Sequence, residues 1–260
     1  MSGDFRLPVI WLLTVRNITR SVRTPLLAAI SLAQPALWLV LFSQIFRGLA
    51  ETPQFRGLGY GSYLSFFLPG MVVLSMLFTA LQSGMATMSD IDTGMLDKLL
   101  IAPLKRASIL TARVLADAAT MAAQAVILIA VGVAMGARFR AGWPGFVLLA
   151  AFAVTFGVAW AAVSNLIALR TRNAELTMVL GFFLTLPVLF LSSAFFPKPL
   201  LPGWLQAITT ANPASYVIET GQHIAAAGNA WSQDLHTLLA LTLTAAVFLP
   251  LTVTAFRAAN

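Results

Sequence analysis

Residues 90–106 read DIDTGMLDKLLIAPLKR, and the fold turns on where this stretch sits. Six charged side chains, Asp90, Asp92, Asp97, Lys98, Lys105 and Arg106, fall within it, and their charges cancel. Only 10% of the 260 residues are charged, and the runs on either side are apolar. Holding six charges at bilayer depth costs on the order of 15 kcal/mol before apolar neighbours offset part of it. The stretch therefore belongs in water, between two runs that belong in lipid. Met95, Leu96, Leu99 and Leu100 recur on one face at helical spacing. Asp92 or Thr93 is the expected cap, and Pro103 the expected stop near Ala102. The result is a helix of about ten residues, roughly 15 Å long. Such a helix either rests on headgroups or docks into a partner, and its periodicity fits both.

The flanking composition points the same way. Hydrophobic residues make up 59% of the chain, and the mean hydropathy is +0.86. A soluble domain of this length needs far more polar surface. The expected fold class is therefore all-α: a polytopic integral membrane protein forming one transmembrane domain over residues 1–260. Six runs approach the roughly 20 apolar residues that a crossing needs. They cover residues 26–46, 63–88, 109–135, 146–168, 176–196 and 235–256. Residues 90–106 lie between the second and third.

Residues 7–15, LPVIWLLTV, have the length of a signal-peptide core, but no small-residue cleavage site follows and Arg16, Arg20 and Arg23 do. Residues 1–24 read better as an interfacial arm, with aliphatic side chains in lipid and arginines at headgroups. Residues 197–234 hold two short apolar pieces flanking Asn212-Pro213, a pattern expected of a re-entrant or interfacial segment.

Charge bias sets the expected orientation. With the N-terminus in the cytoplasm, that side holds Arg6, Arg16, Arg20, Arg23, Lys98, Lys105, Arg106, Arg170, Arg172 and Arg257, with Arg113 near it. The other side holds Arg47, Arg56, Arg138, Arg140 and Lys198. The majority supports both termini on the cytoplasmic side of the cell membrane. The net charge of +7 is spread between apolar runs. It is read as a set of topology signals facing anionic lipid, not as a nucleic-acid surface. The chain has no cysteine, so disulfides and thiolate metal sites are excluded. His223 and His236 are thirteen apart with no third ligand in view, so no metal site is expected.

Several residues inside the runs stand out. Arg113 and Asp117 are four apart and share a helix face, so a buried ion pair near the cytoplasmic interface is expected. Gly132 and Gly136 form a small-residue step suited to close helix packing. Gln34, Gln44, Gln82 and Asn165 are expected to hydrogen-bond across helices. Met71, Met76, Phe78, Phe182 and Phe183 resemble a surface for lipophilic cargo, and lipid contact explains them equally. Trp204 and Tyr216 suit an interfacial belt, and Asn212-Pro213 a helix break.

Three stretches carry a family resemblance. Residues 92–117, DTGMLDKLLIAPLKRASILTARVLAD, resemble the cytoplasmic loop and following span of type-2 ABC transporter permeases, in particular the daunorubicin-resistance-type efflux permeases. Residues 16–46, RNITRSVRTPLLAAISLAQPALWLVLFSQIF, resemble their amphipathic arm and first span. Residues 192–219, SSAFFPKPLLPGWLQAITTANPASYVIE, resemble the end of their fifth span and their external helices. The three occur in family order over nearly the whole chain. Thr93 stands where the family usually has a basic residue, and Gln222-His223 where many members have an arginine nearby.

The resemblance implies an N-terminal elbow helix, six spans, a cytoplasmic coupling helix at residues 90–106 and external re-entrant helices before the sixth span. Phe195, Phe196, Pro202, Trp204, Asn212 and Pro213 fall in that external segment. It implies that Asp92, Gly94, Met95, Leu96, Asp97, Leu99 and Leu100 contact an ATP-binding cassette subunit. Two copies of that subunit and a second permease chain, identical or similar, are implied as partners. ATP and magnesium belong to the cassette subunit. This chain contains no G-x-x-x-x-G-K-[ST] run to cradle phosphates, so it is not expected to be an enzyme by itself.

The function so implied is export of a hydrophobic or amphipathic compound, a drug or a lipid. A polysaccharide or glycolipid is the alternative cargo, and these mainly aliphatic spans suit it less. A membrane-embedded lipid enzyme needs clustered acids facing one cavity, whereas the nine acids are dispersed. An ion-coupled carrier needs ionisable groups at the midplane, and Asp117, with Arg113 beside it, is the one candidate.

Overall fold

The computed structural model describes residue 14, residues 25–95 and residues 106–226. Most of the arm at 1–24, residues 96–105 and the sixth apolar run at 235–256 lie outside the described residues. Among the described residues every regular element is helical. The main helices are α1 (Pro25–Ile45), α2 (Pro53–Arg56), α3 (Tyr63–Asp92), α4 (Arg106–Ala134), α5 (Gly142–Thr171), α6 (Ala174–Phe190), α7 (Gly203–Ala211) and α8 (Pro213–Ala226). Helices α3, α4 and α5 are long and apolar enough to cross a bilayer, and α6 is a shorter apolar helix.

Local chemistry sets the ends. The Ser62 hydroxyl accepts from the Ser65 amide at 3.1 Å and starts α3. The Asn173 carboxamide accepts from the Leu176 amide at 2.9 Å and starts α6, with Glu175 in its first turn. Arg172, just before it, takes a left-handed φ of 47° and ends α5. Helix α6 stops at Phe190, short of the expected 196, where the Ser192 hydroxyl donates to the Leu189 carbonyl and turns the chain.

Helix α3 is the centre of the bundle. It packs against α1, α4, α5, α6 and α8, and Phe66, Phe67, Met71, Met76 and Leu77 on it are fully buried. Its closest neighbour is α5, because Gly84 lies against the Ser164 backbone. A Cβ at Gly84 would stand 2.8 Å from the Ser164 carbonyl oxygen. Gly132 serves the packing expected of it: a Cβ there would meet the Leu68 side chain at 2.7 Å. Gly136 does something else, ending α4 with a φ of +100°.

Polar contacts fix the up-and-down order. At one end the Ser65 hydroxyl accepts from the Arg138 amide at 3.0 Å, and the Tyr63 hydroxyl donates to the Phe195 carbonyl at 2.9 Å. Phe42, Phe46, Phe55, Tyr63, Phe67 and Phe195 interlock at that end. At the other end the C-terminal turns of α3 and α5 meet the start of α4. Helix α6 turns Thr177, Gly181, Thr185 and Leu189 inward and exposes Leu176, Val179, Phe183 and Phe190. That pattern suits a helix on the lipid side of a bundle.

Candidate functional site

The polar stretch at 90–106 joins the bundle at the end of α3. Helix α3 runs through Asp90 and Asp92, two residues expected to lie in the soluble loop. Thr93 is its C-terminal cap rather than the start of the next helix. Its amide and hydroxyl both reach the Ser89 carbonyl, at 3.1 and 2.7 Å. Gly94 follows at φ +64°, the left-handed turn that glycine adopts without a Cβ clash. The Gly94 amide reaches the Ile91 carbonyl at 2.9 Å. Met95 again has helical backbone. Leu96, Asp97, Leu99 and Leu100 lie outside the described residues.

Asp90 is 8% exposed, and a charge so enclosed needs a partner. Its carboxylate pairs with the Arg113 guanidinium of α4 at 3.1 Å. The pair expected from the four-residue spacing, Arg113 with Asp117, is not the one formed. Arg113 reaches across to α3, where its second Nη donates to the Ser83 carbonyl at 2.8 Å. Asp117 accepts from the Ser83 hydroxyl at 2.6 Å. Helical spacing places Arg113 beside Asp117 but does not decide which carboxylate its fork meets. Helix α3 supplies the Asp90 carboxylate and, two turns earlier, the Ser83 carbonyl, and the two ends of the guanidinium fork meet one each.

The network continues into α5. The Asn165 carboxamide donates to the Ser83 hydroxyl at 3.1 Å and accepts from the Thr87 hydroxyl. One set of side chains therefore ties α3, α4 and α5 together where the polar stretch leaves the bundle. Thr14 donates to the Ala112 carbonyl at 3.3 Å, so this one described residue before α1 meets α4 at the same end. Nearer mid-bundle, the Gln124 carboxamide of α4 accepts from Ser75 at 3.4 Å and from Thr79, both on α3. Sequence reasoning singled out Asn165. It passed over Ser83 and Thr87, because a hydroxyl in an apolar run gives no periodic signal.

The expected cargo surface is divided. Met71 and Met76 are fully buried in the packing of a single chain. Phe78 and Phe182 meet edge to face, with centroids 6.2 Å apart, and Phe183 is 70% exposed. In the segment after α6, Phe195 is buried, and Phe196 and Trp204 are exposed. Pro202 caps α7, and Pro213 opens α8. The Asn212 carboxamide donates to the Val188 carbonyl at 2.6 Å and accepts from the Ala214 amide at 3.0 Å. The break at Asn212-Pro213 is thus a capped turn pinned to α6. Among the described residues no group of three His, Cys, Asp or Glu side chains is placed to hold a metal ion.

Residues 8–224 match the family described as ABC-2 type transporter. A protein of Cyanophora paradoxa that carries the name transport permease ycf38 is 31% identical, over 84% of this chain and 74% of that one. The daunorubicin resistance ABC transporter permease protein DrrB1 of Streptomyces coeruleorubidus is 27% identical, over 87% of this chain and 78% of that one. A Mycobacterium tuberculosis protein named for a doxorubicin resistance ABC transporter permease, DrrC, is 28% identical, over 83% of this chain and 76% of that one.

Proposed function

Because the chain belongs to the ABC-2 type transporter family, we propose that it is the permease subunit of an exporter that moves a hydrophobic or amphipathic compound outward. The observation that carries the cargo class is the likeness to relatives named for daunorubicin and doxorubicin resistance, over more than four fifths of this chain. The power source is a separate ATP-binding cassette subunit, which holds ATP and magnesium. The absence of a phosphate-cradling motif in this sequence supports that division of labour. Two cassette subunits and two permease chains form the working unit, in the cytoplasmic membrane.

The geometry at the end of α3 supports a route for force. A push on residues 95–106 arrives at Gly94 and Thr93, which cap α3. Asp90 and Arg113 join that turn of α3 to α4, and further along α3 Ser83 bonds Asn165 of α5. The three helices therefore move together, not slide past one another. In this reading residues 92–100 face the cytoplasm, and the aromatic end of the bundle faces outward.

The test is co-expression with a neighbouring cassette subunit, followed by purification on a tag carried by that subunit. The expected result is that this chain co-purifies, and that vesicles holding both proteins transport doxorubicin when given ATP. Gly94→Glu or Leu96→Glu should leave ATP hydrolysis in place while transport falls at least tenfold. Undiminished transport in both variants would remove the coupling role of this stretch.

A further inference from the structure

Arginines at the end of the bundle opposite Thr93 run against the charge bias that orients the chain, so topology does not explain them. The structure gives two of them a place. Between the end of α1, the start of α3 and the end of α4 lies a cavity of about 560 Å³. Its lining includes Gln44, Arg47, Glu51, Arg56 and Ser62. Among the described residues, neither Arg47 nor Arg56 forms an ion pair or a side-chain hydrogen bond, and the same holds for Glu51. The lining thus carries two unengaged guanidinium groups against one carboxylate, a formal charge of +1. A volume in the range of roughly 300–1,000 Å³ suits a small-molecule group. Guanidinium forks match the oxygens of a phosphate.

Helix α1 ends at this cavity, to which it contributes Ser43 and Gln44, and it carries an exposed apolar strip. Leu37, Leu41 and Ile45 recur every four residues and are 55%, 46% and 66% exposed. At 1.5 Å per residue, the strip extends roughly 12 Å along the helix, its last residue following Gln44 of the lining. An apolar track ending at paired cations has the layout of an amphiphile, with a tail along the helix and a charged head at its end.

We infer that this cavity binds a phosphate oxyanion, held by Arg47 and Arg56, as the headgroup of a phospholipid whose acyl chain lies along Leu37, Leu41 and Ile45. The inference stands on the cavity and does not depend on the transported compound.

The test uses the full chain, purified in detergent and titrated with short-chain phosphatidylglycerol, with binding read by native mass spectrometry. Diacylglycerol of the same chain length and inorganic phosphate are the comparison ligands. One phosphatidylglycerol per chain is expected, with diacylglycerol bound at least tenfold more weakly. The variant Arg47→Gln/Arg56→Gln should weaken phosphatidylglycerol binding by about tenfold or more, the scale of losing charge-assisted hydrogen bonds. Glu51→Gln should tighten it several-fold, a change that misfolding does not mimic. Inorganic phosphate that binds alone and displaces the lipid would keep the oxyanion site and make its source soluble. Equal binding of diacylglycerol, or unchanged binding in the double variant, would overturn the site.

Discussion

Replacing Asp90 with leucine tests the joint between α3 and α4 directly. The side chains of Arg113 and Asp90 are 17% and 11% exposed, so the substitution strands a guanidinium in a mostly dry setting. Breaking a fully buried pair costs about 3–5 kcal/mol. Here Arg113 keeps its 2.8 Å bond to the Ser83 carbonyl, and some water reaches the pair. The expected loss is therefore about 2–3 kcal/mol. For a chain of this size that lowers Tm by roughly 4–12 °C. Arg113→Leu should cost a similar amount, since it leaves carboxylates behind. The double variant, Asp90→Leu with Arg113→Leu, should recover more than half of the summed loss, because two apolar side chains need no partner. Thermal unfolding in detergent, followed by tryptophan fluorescence, gives all the values for the cycle. The coupling energy of Arg113 with Asp90 should exceed that of Arg113 with Asp117 in a parallel cycle. Additive losses for Asp90 and Arg113, or a larger coupling to Asp117, would refute the assignment of the pair.

Two further predictions concern packing and pH. Gly84→Ala and Gly132→Ala place a Cβ at nearly the same distance from a neighbour, 2.8 and 2.7 Å, but against different atoms. Gly84 meets the backbone of Ser164 and should lose about 1–3 kcal/mol as α3 and α5 separate. Gly132 meets the tip of Leu68, which can turn away, so helix propensity should leave the change within about 1 kcal/mol of neutral. Paired melting curves check the contrast. Glu219 on α8 is pushed above the ordinary carboxylate range by burial, with the Lys198 ammonium at 3.8 Å pulling it back. A raised folded value means that its contribution is complete below the unfolded value and is lost as pH rises through the folded one. Stability should thus fall with rising pH above the ordinary value of 4.5, and Glu219→Gln should flatten that part of the Tm-against-pH curve.

The helical class and the apolar helices are legible in the sequence, because a bilayer leaves the backbone few alternatives and apolar runs are easily counted. The contrast of six charges with their surroundings also marks the stretch in which α3 ends, at Asp92. The joint itself is less legible. A helical wheel places Arg113 beside Asp117, and nothing in one helix announces that a carboxylate twenty-three positions earlier competes for the same fork. Asp90 reads as a loop residue because it is charged, yet it lies inside the last turn of α3, paired with Arg113. The cavity at the far end is invisible in a linear reading, since its lining comes from three separate segments.

The placement of α3 has a consequence for how the protein meets its surroundings. Of its most apolar window 89% is buried inside the chain, against 33% for α4 and 56% for α5. Among the described residues, the most enclosed of these three helices is thus also the one that runs into the polar stretch at 90–106. Bilayer thickness and fluidity act on the outer helices and reach α3 only through them. Under the proposed coupling role, a torque delivered at Gly94 turns an axle inside its own bearing, and the helices packed around that axle have to answer.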